Sequence, residues 1–542
     1  MTLQTIDWVI IGILFLAYLV VGVYVSKRAG KNVQEFFLSG RNMPWWLLGI
    51  SMVATTFSAD TPNLVTDIVR QNGVSGNWVW WAFLLTGMLT VFIYARLWRR
   101  SKVFTDLEFY ELRYSGKPAA FLRGFRALYL GFFFNVMIMG TVCLAAIKIG
   151  GAILGLEGWQ TLLIAGIVTV IYSLLGGLRG VIFTDFLQFL IAMIGAVWAA
   201  KVVVGLPEVG GLSNLLENPA VSGKLNLLPD FSDTKTLIPL LIVPIAVQWW
   251  SVWYPGAEPG GGGYIAQRML AAKDEKNAMG ATLLFNIAHY ALRPWPWIIV
   301  ALASLILFPD LASLRDAFPS LTEDKIGHDL AYPAMMTYLP AGLLGLIVAS
   351  LASAFMSTIS THLNWGSSYI VHDFYKRFLK PNATEKELVV VGRISTLVLM
   401  LLAAAVALGV FDNAKQAFDA LLLIGAGTGL IFILRWFWWR INAWSEISAM
   451  VVSFIVAITI SKWGSGFETH EQLVIGVLIT TVVWLLVTFL TKPVEMDTLR
   501  KFYKKIRPAS KGWKRVIETM DESDVIENKG KLPLQILAMV VG

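Results

Sequence analysis

The chain is poor in charged residues and has almost no cysteine. Only 15% of its 542 residues are charged, whereas a soluble globular domain has roughly 25%, so an ordinary water-soluble fold is excluded. Cys143 is the only cysteine, which rules out an internal disulfide. The five histidines are scattered and form no HExxH or ligand-spaced cluster, which argues against a metalloenzyme. Hydrophobic residues, by contrast, make up 56% of the chain.

The hydrophobic residues are concentrated in thirteen runs near the length that crosses a bilayer, and these predict an all-α, polytopic membrane protein. A fourteenth run, residues 532–542, is too short to span and is expected to be the start of a last helix. The thirteen runs cover residues 6–25, 45–69, 78–97, 121–154, 159–175, 181–204, 237–253, 278–308, 334–369, 388–410, 418–434, 443–460 and 473–490.

The distribution of basic residues predicts the orientation of the chain. With the N-terminus outside, most lysines and arginines lie in cytoplasmic loops, including the basic loop at residues 491–531. We therefore predict a multi-pass protein of the plasma (cytoplasmic) membrane, in contact with lipid, and we interpret the net charge of +8 as a topology signal rather than as a nucleic-acid site. No basic stretch precedes the first run, which indicates a retained helix rather than a signal peptide.

Two of the runs are interrupted by helix breakers beside polar residues. The second run contains SADTPN at residues 58–63, and the seventh continues into WSVWYPG at residues 250–256. Broken helices five runs apart are typical of an inverted-repeat transporter with its binding site at the midplane. The predicted organisation is one transporter domain with an accessory helix at 6–25, repeats at 45–204 and 237–434, and further accessory helices at 443–490.

The ninth run carries a polar stripe on an otherwise apolar helix. At 100° per residue its six polar side chains share one face of the helix. These side chains are Ser350, Ser353, Ser357, Thr361, Asn364 and Ser368. Lipid cannot satisfy such a row, and small oxygen ligands suit a partly dehydrated alkali cation. We interpret the stripe as part of an ion pathway.

Several motifs follow one another along about residues 5–375. They are FFLSGR at 36–41 before PWW at 44–46, FTDLEF at 104–109, YS at 172–173 with GGL at 176–178, TDFLQ at 184–188, QR at 267–268 and AFMST at 354–358. In this order they resemble the sodium/solute symporter family, which includes sodium/glucose, sodium/proline and sodium/sialic acid carriers. The resemblance implies the LeuT-type fold, with runs two to eleven as two inverted five-helix repeats, and transport that needs no cofactor beyond sodium as the coupling ion.

By this resemblance, a sodium ion lies between the second and ninth runs. Its ligands would be the backbone carbonyls of Ala54, Phe57 and Ala354 and the hydroxyls of Ser357 and Thr358. The residues themselves agree, since the first two carbonyls lie just before a helix break and both hydroxyls lie on or beside the polar stripe. The alternative is that these hydroxyls only bond their own helix or hold helices together.

Two further polar residues bear on the choice of coupling ion. Asp185 lies in an apolar run, where an unpaired carboxylate costs roughly 3 kcal/mol or more. Its family position makes it an electrostatic partner of the sodium ion or a ligand of a second one, and Arg179 is an alternative partner. His362, one turn beyond Thr358, could indicate proton coupling, although a lone histidine on a polar helix face is more often part of the packing.

The family positions that would contact the solute lie at the two breaks and on the third run. They are Asp60, Thr61, Asn77, Trp80, Gln248, Trp249 and Ser251. Aromatic walls with a few amides and carboxylates suit a small polyhydroxylated or zwitterionic solute, although Trp80 could equally belong to an interfacial belt. Arg293, deep in the eighth run with His289 one turn earlier, is either a counter-ion for Asp60 or Asp185 or a group that binds the carboxylate of an anionic solute.

Together these features predict a sodium-coupled secondary symporter that imports a small organic solute by alternating access. A sugar or related polyol is the favoured solute, with a proline-like amino acid or a carboxylated sugar as alternatives, and the oligomeric state is left open. A proton-coupled carrier, a uniporter, a membrane sensor and an enzyme fit less well. The glycine-rich segment PGAEPGGGG, residues 255–263, departs from the family pattern and indicates either a flexible inner gate or a close-packed turn.

Overall fold

The structure, a computed structural model, describes residues 3–29, 32–56, 58–252, 258–319, 326–409, 425–463, 466–521 and 531–541. The regular secondary structure within these ranges is helical, and the one β-bridge there joins Met43 to Ala272. The main helices are α1 (Thr5–Ala29), α2 (Trp45–Thr56), α3 (Asp60–Asn72), α4 (Val74–Ser101), α5 (Gly116–Ile149), α6 (Gly158–Val204), α7 (Thr234–Ala246), α8 (Gly263–Ala271), α9 (Glu275–Leu307), α10 (Leu343–Leu379), α11 (Glu385–Gly409), α12 (Gly429–Leu434), α13 (Ala443–Trp463), α14 (Thr469–Leu490), α15 (Met496–Ile506) and α16 (Lys531–Val541).

The helices confirm the predicted all-α, polytopic class. Nine helical stretches in the described part of the chain are long and apolar enough to cross a membrane, and four shorter apolar helices accompany them. Three of the shorter ones, at 45–56, 158–171 and 234–246, fall within predicted runs, and the fourth is the partial helix expected near the C-terminus. The predicted run at 418–434 lies partly outside the described residues.

Both predicted helix breaks are present. The first separates α2, which ends at Thr56, from α3, which begins at Asp60. Pro62 does not cause the break itself, because it lies in the first turn of α3, where a missing backbone N–H is tolerated. The second separates α7 from α8, and residues 253–257 within it lie outside the described part of the chain. The breaks place non-helical backbone beside the same central cavity.

The polar stripe of α10 faces protein rather than lipid. Helix α10 packs against α6, α1 and α2, and α2 also packs against α9. All six stripe residues are buried. Tyr18 of α1 lies with its hydroxyl 2.6 Å from that of Ser353, which shows how the accessory helix satisfies the stripe. The stripe is therefore enclosed by α1, α2 and α6, as expected of polar groups at membrane depth.

A single glycine divides α6 into the two predicted runs. Gly177 has φ 53° and ψ −162°, a conformation outside the helical region that residues with a Cβ rarely adopt. A Cβ there would lie 2.7 Å from the carbonyl oxygen of Phe36. The turn between these two runs is thus one residue long and depends on glycine for both its backbone angles and its close packing.

We expect Gly177→Ala to lower the thermal unfolding midpoint of the purified protein in detergent. The strained backbone costs about 1–3 kcal/mol, and the clash with backbone adds to it. Gly180→Ala is the matched control, since it lies three residues along the same helix and a Cβ there meets nothing within 4 Å. Equal midpoints for the two variants would contradict this account of the turn.

Candidate functional site

The two breaks enclose a central cavity of about 220 Å³. Its walls come from the broken segments and from α4, α5, α9 and α10. Five of the residues predicted to contact the solute line it, namely Asp60, Thr61, Trp80, Ser251 and Arg293. A cavity that is mostly apolar and carries a few convergent polar groups is the usual form of a small-molecule site.

Three other residues predicted to contact the solute do not line the cavity. Asn77 accepts a hydrogen bond from the indole Nε1 of Trp80 at 2.8 Å. Gln248 donates from Nε2 to the carbonyl oxygen of Val79 at 2.5 Å. The carbonyl of Trp249 accepts a hydrogen bond from Thr86. These contacts join the second break to α4 and hold Trp80 in place, so the three residues act behind the cavity wall.

Arg293, Asp60 and Glu258 are the charged residues that line the cavity. Arg293 donates from Nη1 to the carbonyl of Val53 and to the hydroxyl of Thr56, both at 3.3 Å, and its Nη2 lies 3.3 Å from Nε2 of His289. The guanidinium is therefore largely engaged by protein groups.

The contacts of His289 define its protonation. Its Nε2 faces a guanidinium donor and so accepts, while Nδ1 lies 3.0 Å from the Thr56 hydroxyl. An imidazole that accepts at Nε2 carries its proton on Nδ1 and is neutral. In the described part of the chain, Asp60 Oδ1, Asn286 Oδ1 and Arg293 Nε are buried and lack a hydrogen-bond partner. All three residues also line the cavity.

Aromatic rings complete the wall. Trp80 stacks on Tyr290 with ring centroids 5.9 Å apart and an interplanar angle of 22°, and its ring lies edge-on to His289. Tyr264, in the first turn of α8, also lines the cavity. Trp80 is therefore a wall residue and not merely part of an interfacial belt. Tyr264, Tyr290 and Asn286 were not predicted from the sequence, although Tyr290 adjoins His289 and Asn286 lies on the same helix one turn earlier.

A polar cluster adjoins the cavity around Asp185 of α6. Its two oxygens accept hydrogen bonds from Ser51 of α2 at 2.5 Å and from Ser357 of α10 at 2.6 Å. The positive partner is Arg268 of α8, whose Nη2 lies 3.7 Å from Oδ2. Arg179, the partner considered from sequence, lies with its guanidinium 5.9 Å from the ring centroid of Phe183. The sequence had shown Arg268 only as part of a motif.

The same cluster contains the end of α2. Thr358 donates to the carbonyl of Thr55 at 2.8 Å, and the hydroxyls of Thr55 and Thr361 lie 3.0 Å apart. Thr55 and Thr358 both line the cavity, so the oxygen cluster and the cavity share a wall. Ala54 and Ala354, whose carbonyls are predicted ligands, are buried. Phe57, the other predicted carbonyl ligand, lies outside the described residues.

The cluster combines one carboxylate with several hydroxyl oxygens. The carboxylate has about four acceptor positions and uses two of them for Ser51 and Ser357. Arg268 also donates to Ser51 and Thr361, which leaves it only a loose contact with Asp185. His362 is engaged elsewhere, with Nδ1 2.7 Å from Oδ1 of Asn135.

Comparison with known proteins agrees with this architecture. The sequence profile of the Sodium:solute symporter family matches residues 36–453. A sodium/glucose cotransporter of Vibrio parahaemolyticus is 25% identical over 497 residues, covering 89% of this chain and 90% of that protein. Sodium/myo-inositol cotransporter 2 of Homo sapiens is 27% identical over 484 residues, covering 83% of this chain and 69% of that protein.

The fold matches that of a solved transporter. A Na⁺-coupled sialic acid symporter in its substrate-bound outward-open state superimposes with a TM-score of 0.74 at 22% identity, covering 91% of this chain and 99% of that one. This likeness concerns the fold alone. It confirms the LeuT-type fold predicted from the sequence.

We expect Arg268→Gln to destabilise the protein in sodium-free buffer, because it leaves a buried carboxylate without a positive partner. Loss of one member of a buried ion pair costs about 3–5 kcal/mol. The double variant Arg268→Gln with Asp185→Asn should unfold at a higher temperature than Arg268→Gln alone, as measured by thermal unfolding in detergent. Strictly additive effects of the two changes would show that the two charges do not interact.

Proposed function

The chain belongs to the sodium:solute symporter family, and from that premise we propose that it imports a neutral polyhydroxylated solute together with sodium by alternating access. The observation that carries the proposal is the shared wall between the oxygen cluster at Asp185 and the central cavity. Thr55 and Thr358 belong to both. Two ligands bound on either side of one wall can be coupled through it.

For the sodium ion we propose the carbonyls of Ala54, Phe57 and Ala354 and the hydroxyls of Ser357 and Thr358. Support comes from the contacts of the last two residues, which join α10 to α6 and to the end of α2. The end of α2 is also where a broken helix has carbonyls that no longer bond within the helix.

We propose that Asp185 supplies the negative charge of this region. It holds the Ser357 hydroxyl through one oxygen, so it orients a proposed ligand as well as attracting a cation. Its arginine partner is 3.7 Å away and is held by other acceptors. An arriving cation can therefore approach the carboxylate without first displacing a short ion pair.

The charges of the cavity favour a neutral solute. Two carboxylates line it, Asp60 and Glu258, and the guanidinium of Arg293 lines it as well. A second guanidinium, that of Arg126, does not line the cavity but is paired with Glu258. The two carboxylates and the two guanidinium groups therefore have a net formal charge of zero. A carboxylated sugar or an amino acid would need a free cationic group, but Arg293 already contacts Val53, Thr56 and His289. Glucose and myo-inositol, named for two of the relatives, are neutral polyols.

We also propose the membrane arrangement expected from the sequence. The N-terminus would face outside and the basic loop at 491–531 the cytoplasm of the cell, in the plasma membrane. The two five-helix repeats would cover 45–204 and 237–434. Support comes from the two helix breaks, which lie at corresponding places in these ranges and face one cavity.

The first test is uptake of a labelled solute panel into proteoliposomes under an inward sodium gradient. A neutral sugar or polyol should accumulate with sodium and not with potassium. Ser357→Ala should lower the apparent sodium affinity by about tenfold or more, because one ion ligand is lost. Ser367→Ala is the control, since it removes a buried hydroxyl of the same helix that contacts Thr396 instead. Equal accumulation in potassium would refute sodium coupling.

Solute class is tested by competition. Unlabelled neutral polyols should inhibit sodium-dependent uptake at lower concentrations than their carboxylated counterparts or than amino acids, because Arg293 is the one guanidinium among the described lining residues and already contacts three protein groups. The measurement is the inhibition constant of each compound on the wild-type protein. Stronger inhibition by a sugar acid than by its parent sugar would contradict the charge argument.

A further inference from the structure

Glu258 occupies an unusual position in the second break. It lies in the glycine-rich segment at 255–263, lines the central cavity and is 3% exposed. Buried carboxylates are rare at membrane depth and are found where they pair with a positive group or take part in function. The sequence predicted the segment as a gate or a turn and gave Glu258 no role.

A positive group holds one oxygen of this carboxylate. Arg126 of α5 donates from Nη2 to Oε1, and both side chains are buried. The guanidinium lies 5.4 Å from the ring centroid of Tyr110 and 4.9 Å from that of Phe432, so aromatic rings fix its place. Arg126 does not line the central cavity, so Glu258 is the member of the pair that contributes to its wall.

The other oxygen is left without a partner. Oε2 is buried and accepts no hydrogen bond from any described residue. An unsatisfied buried acceptor costs about 1–3 kcal/mol, and more for a charged group, so an unpaired carboxylate oxygen beside a cavity points to a ligand. A second cavity of about 20 Å³, with room for about one water molecule, is lined by both Glu258 and Arg126.

The backbone next to Glu258 is fixed. The carbonyl of Gly260 accepts a hydrogen bond from Trp98 Nε1 at 3.0 Å, and the N–H of Gly263 donates to Asp106 Oδ2 at 2.9 Å. Gly260 has φ +85°, and a Cβ there would lie 2.7 Å from the ring of Tyr94. The described part of the segment is thus a close-packed turn that positions the carboxylate.

We propose that Glu258 is a specificity-determining residue of the solute site. Its Oε2 accepts a hydrogen bond from a hydroxyl of the solute, while Arg126 neutralises the carboxylate and holds it in place. Each broken helix then contributes one carboxylate to the cavity, Asp60 from the first and Glu258 from the second. The inference rests on the proposed transport of a neutral polyhydroxylated solute.

The test compares sodium-dependent uptake by the wild type and Glu258→Gln, using the solute that the wild type accumulates and a set of its monodeoxy analogues as inhibitors. We expect Glu258→Gln to raise KM about 10- to 100-fold, since a hydrogen bond to a charged group is lost. One deoxy analogue should bind the wild type much more weakly than the parent solute does. The variant should bind that analogue and the parent solute equally well. That analogue identifies the hydroxyl that Glu258 contacts.

Glu446→Gln is the matched control. Glu446 is also a buried carboxylate paired with an arginine, Arg435, but it does not line the cavity. It should leave the ranking of the analogues unchanged even where it lowers expression. If Glu258→Gln does not fold, the double variant Glu258→Gln with Arg126→Gln removes the unpaired guanidinium and makes the same comparison.

A second readout does not depend on transport rates. In a Cys143→Ala background, Glu258→Cys introduces the only thiol of the chain, and solute with sodium should slow its alkylation. An unchanged ranking of analogues together with unprotected alkylation would overturn the role of Glu258 and leave the proposed symport intact.

If the wild type accumulates an amino acid instead, the proposed solute class fails, and its des-amino analogue serves as the test compound for Glu258.

Discussion

Polar groups in a bilayer have no water to bond with, so each must find its partner inside the protein. Two ion pairs meet this requirement near the centre of the molecule: Asp185 with Arg268, and Glu258 with Arg126. In each pair one member belongs to α8 or to the break before it, and the other belongs to α6 or α5. The charges therefore join the irregular part of the fold to its regular part.

Buried ion pairs of this kind contribute more to the specificity of the native packing than to its stability. Removing two charges from water costs about as much as their mutual attraction returns, whereas losing one partner is strongly destabilising. A pair of this kind penalises wrong neighbours without making the correct state much more stable. That property suits a transporter, because a site that was held too firmly in one conformation could not alternate between two.

The sequence predicted those features that depend on local pattern. Hydrophobic run length gave the helices, proline and glycine marked both breaks, and helical periodicity placed the hydroxyls of α10 on one buried face. The pairing of Asp185 with Arg268 joins residues far apart in the chain, and no local pattern encodes it. The directions of Gln248 and Trp249 depend on backbone angles between α7 and α8, and Asn77 is held by its hydrogen bond to Trp80, so the positions of these three residues were not predictable from local pattern. Glu258 lies in a segment that departs from the family pattern, so the resemblance assigned it no role.

The last turn of α2 explains how the two ligands can assist each other. The carbonyl of Thr55 accepts from Thr358 on the side of the proposed sodium site, while the hydroxyl of Thr56 contacts His289 and Arg293 on the side of the solute cavity. These two residues are adjacent, and the helix ends directly after them. If either ligand orders this terminus on binding, the entropy of ordering is lost once and the second ligand meets a preformed wall. Such a positive coupling would require no direct contact between ion and solute.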